Sequence, residues 1–322
     1  MKILVTGGAG YIGGTVCRML LAGGHPVTVF DNLCHSKRMA VADSVEFVEG
    51  DLADRAVVER TLRDGKFDGV MHFAALIEAG ESMKRPEIYF RNNTASTLTL
   101  LEAMLATGHD KLVFSSTAAC YGEPETTPIL EDAKLAPTNP YGESKLLVEY
   151  MLRWMNQAHG FRYASLRYFN VAGAIDGYGE AHEPESHLIP LILDVALGRR
   201  ASIKIFGQDY PTKDGTCVRD YIHVQDLADA HLLALGALSE KSRLIYNIGN
   251  GQGFTVREVI DSVRRVTGRP IAVEECPRRP GDPAVLVASS EKIKAELGWR
   301  PKFSELDQII SSAWEWHQKR YA

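Results

Sequence analysis

A short apolar run, Lys2-Ile3-Leu4-Val5-Thr6, is followed at once by Gly7-Gly8-Ala9-Gly10-Tyr11-Ile12-Gly13. Beyond the glycines, Val16, Met19, Leu20 and Leu21 recur at helical spacing until Gly23-Gly24. A strand that turns into a helix through spaced glycines leaves few folds open. The glycines fit GxGxxG at Gly8, Gly10 and Gly13, and GxxGxxG at Gly7, Gly10 and Gly13. A Cβ here would hold the backbone away from a pyrophosphate, which sits on the N–H groups and positive dipole end of such a helix. The competing reading is a glycine-rich turn without a ligand. A preceding strand and a following helix are the context in which the motif binds a dinucleotide.

The next run, Pro26-Val27-Thr28-Val29-Phe30, ends in Asp31, about 20 residues beyond the fingerprint. A carboxylate there accepts hydrogen bonds from ribose hydroxyls and repels a 2′-phosphate, which favours NAD over NADP; the alternative is an exposed loop Asp. Alternation continues with a strand at Val45–Glu49, then Gly50-Asp51-Leu52, and a helix from about Asp54 to Leu62. A strand over Phe67–Phe73 closes on Ala74-Ala75, a helix runs from about Asn93 to Ala106, and Lys111–Ser116 forms a fifth strand. Strands alternating with helices predict an α/β fold, a Rossmann-type doubly wound parallel sheet covered on both faces. Ligands of such sheets bind at the carboxyl ends of the strands. Asp31, Asp51, Ala74-Ala75, Ser115–Thr117 and Tyr141 all fall at that edge.

Tyr141 belongs to Asn139-Pro140-Tyr141-Gly142-Glu143-Ser144-Lys145. Pro140 suits the first turn of a helix, and Thr138 or Asn139 can cap it. Tyr141 and Lys145 then share one helix face. A phenol is a poor base near neutral pH, and a neighbouring ammonium stabilises its phenolate. Such pairs also occur as ordinary amphipathic surface pairs. Here the pair follows a dinucleotide fingerprint and a strand ending in Ser115-Ser116-Thr117, a combination that chance rarely supplies.

After Tyr168-Phe169-Asn170 the alternation fades into an irregular loop, Val171–Pro190. Ile203–Phe206 and Thr216–Ile222 read as strands, Tyr221–Asp226 leads into a helix through Leu235, Thr255 caps another helix, and Arg278–Asp282 is a basic turn. We expect a first domain over 1–170 with a return segment near 216–235, and a smaller C-terminal α/β substrate lobe over 171–322. The 322 residues have room for both. Net charge is −5 with no basic run, which points away from nucleic acid and anionic membranes. No apolar run reaches the ~18 residues of a membrane span. Strand-like sequence from Lys2 onward speaks against a signal peptide. Cys17, Cys34, Cys120, Cys217 and Cys276 are odd in number and lack metal-ligand spacing, so we expect reduced thiols, no metal and a cytoplasmic protein.

Taken together, these motifs resemble the extended short-chain dehydrogenase/reductase superfamily and, within it, the UDP-glucose 4-epimerase family. The resemblance runs almost from end to end. It is carried by Val5–Gly13, Asp31-Asn32-Leu33, Gly50-Asp51-Leu52, His72-Phe73-Ala74-Ala75, Phe114–Thr117, Tyr141–Lys145 and Arg167–Asn170. Its narrowest part is Ile205-Phe206-Gly207-Gln208-Asp209-Tyr210-Pro211-Thr212, continuing to Val218-Arg219-Asp220-Tyr221-Ile222-His223. The resemblance implies interconversion of UDP-glucose and UDP-galactose on tightly bound NAD. Tyr141 would take the proton of the sugar 4-hydroxyl as hydride leaves C4, Lys145 would hold the nicotinamide ribose and lower the tyrosine pKa, and Thr117 would bond the 4-oxygen. The 4-keto sugar would then turn and accept hydride on its other face, retained by the non-reacting UDP. The resemblance also implies NAD contacts from Gly7, Gly10, Tyr11, Ile12, Asp31 and Asn32. Asp51, Leu52, Phe73, Ala74 and Ala75 would join them, with Asn92, Ser115 and Tyr168. UDP-sugar contacts would come from Asn170, Leu188, Phe206, Arg219, Arg279 and Asp282, the arginines facing diphosphate oxygens. A homodimer through helices around Thr94–Leu105 and Tyr141–Trp154 is implied as well.

Some positions depart from the family pattern. Ile77-Glu78 stands where some members carry a lysine, and Glu185-Ser186-His187 replaces an asparagine pair before Leu188. Leu286 occupies the place of a bulky tyrosine in hexose-restricted epimerases, leaving volume for UDP-N-acetylhexosamines. Other UDP-sugar pairs, UDP-xylose/UDP-arabinose among them, thus stay open. So do an NAD-dependent nucleotide-sugar dehydrogenase and a non-catalytic NAD-sensing module. Dehydratases carry an Asp-Glu pair after the strand-five threonine; here Ala118 and Ala119 remove the acid that elimination needs.

Overall fold

Every residue of β1 (Ile3–Thr6) and β2 (Val27–Asp31) is buried, as apolar runs covered on both faces require. They belong to a computed structural model that describes residues 1–38, 45–175, 177–279 and 282–322. Between them α1 (Tyr11–Ala22) buries Val16, Cys17 and Leu20 and stops at Gly23. After β3 (Glu46–Glu49) comes α2 (Arg55–Gly65), whose cap Asp54 accepts the N–H groups of Ala56 and Val57. β4 (Gly69–His72) leads to the short helices α3 (Ala79–Ser82) and α4 (Pro86–Tyr89), a π-helical turn at Phe90–Ala95, and α5 (Ser96–Thr107). β5 (Lys111–Thr117) ends in a 3-10 turn at Ala118–Tyr121. The helix read from Pro140 is α6 (Pro140–His159), capped by Asn139, which accepts the Gly142 N–H at 2.9 Å.

The chain continues through β6 (Arg162–Tyr168), β7 (Asn170–Ala172), β8 (Ala174–Ile175), β9 (Tyr178–Gly179), α7 (Leu188–Ala196), β10 (Ile203–Phe206), β11 (Val218–His223), α8 (Val224–Ala237) and β12 (Arg243–Ile248). It closes with β13 (Gly253–Thr255), α9 (Val256–Thr267), β14 (Val273–Cys276), β15 (Val285–Leu286), α10 (Glu291–Leu297) and α11 (Leu306–Arg320). Thr255 caps α9 as the sequence suggests, in a reciprocal box with Glu258.

The main sheet has seven strands in the order β3-β2-β1-β4-β5-β6-β12. Pairs β3–β2, β2–β1, β1–β4 and β4–β5 are parallel. The expected Rossmann-type doubly wound sheet is thus present, and its order reverses between β1 and β4, where such sheets hold ligands. Two of its strands, β6 and β12, are not evident from the sequence pattern. The helix expected from Asn93 begins earlier, because the π-turn at Phe90–Ala95 joins α4 to α5 without a break.

Two compact units divide the chain: Met1–Gly122 with Leu135–Arg167 and Ala228–Tyr246, and Glu123–Lys134 with Tyr168–Leu227 and Asn247–Ala322. In the first, Leu4, Val70, Leu112 and Phe114 of the sheet pack with Leu62, Leu100, Met104 and Leu152 of the helices. In the second, β11 is flanked by β13 and β15 and also pairs β7, while Ile192, Val259 and Ile309 of α7, α9 and α11 share one core. Among the described residues no helix is long and apolar enough to cross a membrane.

A Cβ on Gly13 would lie 2.3 Å from the Gly7 carbonyl oxygen. Gly13→Ala should therefore cost about 1–3 kcal/mol in denaturant unfolding, through overpacking of a turn that cannot widen.

Candidate active site

The glycine turn is built by backbone contact. Gly7 has φ +72°, and a Cβ there would meet the Ala74 nitrogen at 2.5 Å. The Gly10 N–H donates to the Gly7 carbonyl at 3.2 Å, and Tyr11 and Ile12 then open α1. Glycine offers that helix no capping side chain, so its N-terminal end suits a phosphate. At the end of β2, Asp31 Oδ2 accepts the Ala9 N–H at 3.0 Å, and Oδ1 accepts from Leu33 N–H and Ser36 Oγ at 2.8 and 3.1 Å. The carboxylate is thereby fixed beside the glycine turn. Asn32 donates to Asp51 at 3.0 Å, while Leu52 lies in the core. A cradle that any Cβ would fill, with a carboxylate held beside it, fits the adenosine and pyrophosphate of NAD.

β4 and β5 carry the next groups. Phe73 lies 4.9 Å from the His231 ring, and Ala74 and Ala75 follow it towards the half-buried Ile77 and Glu78. Asn92 donates to the Asn93 carboxamide at 2.9 Å; Asn93 in turn bonds Leu76 N–H, Leu76 carbonyl and Ser144 Oγ. This asparagine on the π-turn ties the segment after β4 to α6. Lys145 Nζ donates to the Ser115 carbonyl at 2.9 Å and stands 5.0 Å from the Phe114 ring centroid. Thr117 Oγ1 accepts the Ala119 N–H at 3.1 Å, the local role open to any strand-end threonine, and its side chain also hydrogen-bonds Tyr141.

Burial sets the protonation of these groups. It pushes the Tyr141 phenol up to about 12, with the Thr117 hydrogen bond pulling it back. It brings the Lys145 ammonium down to about 7. His72, between Thr6 Oγ1 at 2.6 Å and Thr97 Oγ1 at 2.8 Å, falls to about 3 through burial and the Lys145 charge, so it is neutral.

In the second unit, four of the expected sugar-nucleotide residues are contiguous. Arg219 on β11 pairs with Asp282 and donates to its neighbouring Val218 carbonyl at 2.7 Å. The Asp282 N–H reaches the Arg279 carbonyl, and the Arg279 guanidinium lies 3.9 Å over the Phe206 ring. Leu286 sits opposite Arg219 in the β11–β15 register. Asn170 is exposed and pairs with Tyr221, Tyr168 is buried at the end of β6, and Leu188 opens α7, packed against the core that holds Ile203 and Ile205 of β10. Pro280 and Gly281 of the expected basic turn lie outside the described residues. Asp220 is not the partner of Arg219: it is buried and accepts N–H groups from Asn250, Gly251 and Ala288. Ser186 is exposed, and His187 Nδ1 lies 2.8 Å from Glu185 and 3.9 Å from Glu180. Among the described residues this trio is the one group with metal-capable atoms all within 4.8 Å of each other. Burial raises the Glu180 carboxyl pKa, with His187 pulling it back.

Ser116, Glu149 and Arg167, to which the sequence motifs assign no role, form a buried network. One signal was available, since Glu149 continues the Tyr141–Lys145 spacing by another four residues.

Lys145 is 3% exposed, and its folded-state pKa lies below the unfolded one. Between about pH 7 and 10 the unfolded chain therefore binds the extra proton, and stability rises with pH. Lys145 by itself should add about 1–2 kcal/mol between pH 7 and 9, partly offset near pH 9 by the buried thiols of Cys17 and Cys120, whose raised pKa makes the unfolded chain lose those protons first. Lys145→Met should flatten that gain in thermal melts taken across the range.

Comparison with known proteins places this geometry. Residues 3–249 match the NAD dependent epimerase/dehydratase family. The UDP-glucose 4-epimerase of Streptomyces lividans is 53% identical, over 98% of this chain and 96% of its own. The structure of UDP-glucose 4-epimerase from Brucella ovis in complex with NAD superposes with a TM-score of 0.95 at 44% identity, covering 98% of this chain and 97% of that one. The one from Bifidobacterium longum in complex with NAD+ and UDP gives 0.96 at 38% identity, covering 100% and 99%. With a glycine cradle on β1, a Tyr-Lys helix on β5 and likeness along its whole length, this chain belongs to the NAD dependent epimerase/dehydratase family, among its UDP-glucose 4-epimerases.

Proposed function

We propose that the protein interconverts UDP-glucose and UDP-galactose by inverting C4 of the sugar, using NAD that stays bound through the cycle. The observation that carries this reading is the arrangement at the end of β5, where Thr117 bonds the Tyr141 phenol and Lys145 is seated on the Ser115 carbonyl. Bound NAD supplies the hydride acceptor and donor. The chain's own groups do the rest. Tyr141 takes the proton of the 4-hydroxyl and later returns it, Lys145 supplies the charge that favours the phenolate, and Thr117 holds the 4-oxygen. Gly7, Gly10, Tyr11, Ile12 and Asp31 are assigned to the dinucleotide, with Asp31 favouring NAD over NADP. In this assignment the first unit holds NAD and the second unit the UDP-sugar, with Arg219 and Arg279 on the diphosphate and Phe206 against the uracil. Leu286 favours a second substrate class, UDP-N-acetylhexosamines, because a leucine beside Arg219 leaves more volume than a tyrosine. The five cysteines are all free thiols, in keeping with a reducing cytoplasm.

Purified protein incubated with UDP-galactose and no added cofactor should yield UDP-glucose with no net rise at 340 nm. NADH accumulating only on addition of NAD would instead mark a dehydrogenase. Tyr141→Phe should keep its bound cofactor while losing about 100-fold or more of the turnover.

A homodimer belongs to the same reading. Trp154 is 58% and Tyr150 40% exposed on α6, and Leu98 is exposed on α5, an apolar set of the kind that subunit contacts cover. Light scattering should give twice the chain mass, and Trp154→Glu should give the monomer; a monomeric parent protein would refute the assignment.

A further inference from the structure

Three consecutive residues at the end of β5 each bond one of three successive turns of α6. The Thr117 side chain meets Tyr141, the Ser115 carbonyl accepts from Lys145, and Ser116 Oγ donates to Glu149 Oε1 at 2.5 Å. Tyr141, Lys145 and Glu149 are spaced by four residues and so share one helix face. The third of these contacts is unlike the other two, because it touches nothing that the proposed chemistry uses.

It is instead the centre of a closed network. Arg167 donates to both Glu149 oxygens, from Nε at 3.0 Å and from Nη2 at 2.6 Å, and from Nη1 to Tyr121 Oη at 2.8 Å. Glu149 is 5% and Arg167 2% exposed, and Ser116 and Tyr121 are buried with them. Burial works against the Arg167 charge, yet the Glu149 carboxylate holds its pKa above the usual arginine range. A two-pronged guanidinium–carboxylate contact has one geometry, whereas an apolar contact between a helix and a strand end can slide. The N-terminal turn of α6 has no slack either, since a Cβ on Gly142 would lie 2.6 Å from the Ala119 carbonyl oxygen.

We infer that Glu149 is a positioning residue for the reaction: held by Arg167 and Ser116, it fixes the height of α6 against the end of β5, and with it the Tyr141–Thr117 and Lys145–Ser115 contacts. This rests on the reading that Tyr141 and Lys145 perform the proton chemistry.

Glu149→Gln strands a buried guanidinium and is expected to fold poorly, so Ser116→Ala carries the test. It deletes the link to the strand and leaves the ion pair intact. We expect kcat for UDP-galactose to fall about tenfold with KM little changed, because misplacement acts on the chemical step rather than on binding. A second readout needs no turnover. If Lys145 loses its seat on Ser115, it gains water and its pKa rises. Between pH 7 and 9 the melting temperature of ligand-free Ser116→Ala should then rise less, or fall more, than that of the parent protein; the buried thiols make the same contribution in both. A melting temperature lowered equally at every pH, with the slope of the parent protein, would make the network a plain structural clamp and overturn the inference, whatever kcat does. Should the parent protein fail to epimerise any UDP-sugar, the functional reading falls, and the slope still decides the role of the network.

Discussion

Backbone touches backbone where β1 ends. Gly13 stands against the Gly7 carbonyl, and Gly7 stands against Ala74 after β4, at separations no Cβ would allow. This close approach follows from the strand order, because β1 lies directly between β2 and β4. The chain leaves β1 on one side and re-enters the sheet on the other, so two loops diverge above one point and a crevice opens between them. Asp31 then binds the β2 end to the glycine turn through Ala9, so the turn is supported from both neighbours. A side chain in the turn would do more than crowd a ligand. It would push apart the strand ends from which Phe73, Ala74 and Ala75 hang.

The same burial that shapes the crevice governs its charges. Tyr141 is driven up to about 12, Lys145 down to about 7 and His72 down to about 3, each towards its neutral form. In the roles proposed for them, a base and its activating cation would gain little from being buried if burial merely neutralised both. Two features oppose that outcome. Lys145 keeps a carbonyl partner and an aromatic face, both of which favour the ammonium. Thr117 favours the ionised phenol from the other side. His72, held between two threonine hydroxyls, adds no competing positive charge near Lys145. In so dry a place each remaining electrostatic interaction is stronger than it would be in water.

Local signals made much of this legible in the sequence. The first five strands, the cap at Thr138 or Asn139 and the Thr255 cap are written in short stretches of chain, where apolar runs and capping residues speak for themselves. Within the main sheet, β6 and β12 are the strands without a local signal, and they are set by non-local partners. Arg162-Tyr163-Ala164-Ser165-Leu166-Arg167-Tyr168 carries an arginine at a buried position, which reads as a surface until Glu149 supplies its counter-charge. β12 returns from a distant part of the chain to an edge that only the folded sheet defines. Tyr141 and Lys145 stand out because their shared helix face follows a dinucleotide fingerprint, and Thr117 through the family resemblance. Of Ser116, Glu149 and Arg167 only Glu149 has a signal, its spacing of four from Lys145, and each is an ordinary residue until the three are in contact.

The second unit shows how strand alternation separates neighbours that a linear reading joins. Arg219 and Asp220 are adjacent and oppositely charged, and pairing them is the simplest expectation. On a strand, successive side chains point to opposite faces. Asp220 therefore turns inward to three backbone N–H groups, where burial lifts its pKa to about 6, while Arg219 turns to Asp282. Arg219 uses one donor on Asp282 and one on Val218, out of the five that a guanidinium carries. The remaining capacity suits an anionic group, and Asp282 orients the fork for it. A carboxylate at that place would itself repel a diphosphate, so Asp282 serves the site better by holding Arg219, or by accepting from a hydroxyl, than by meeting phosphate oxygens.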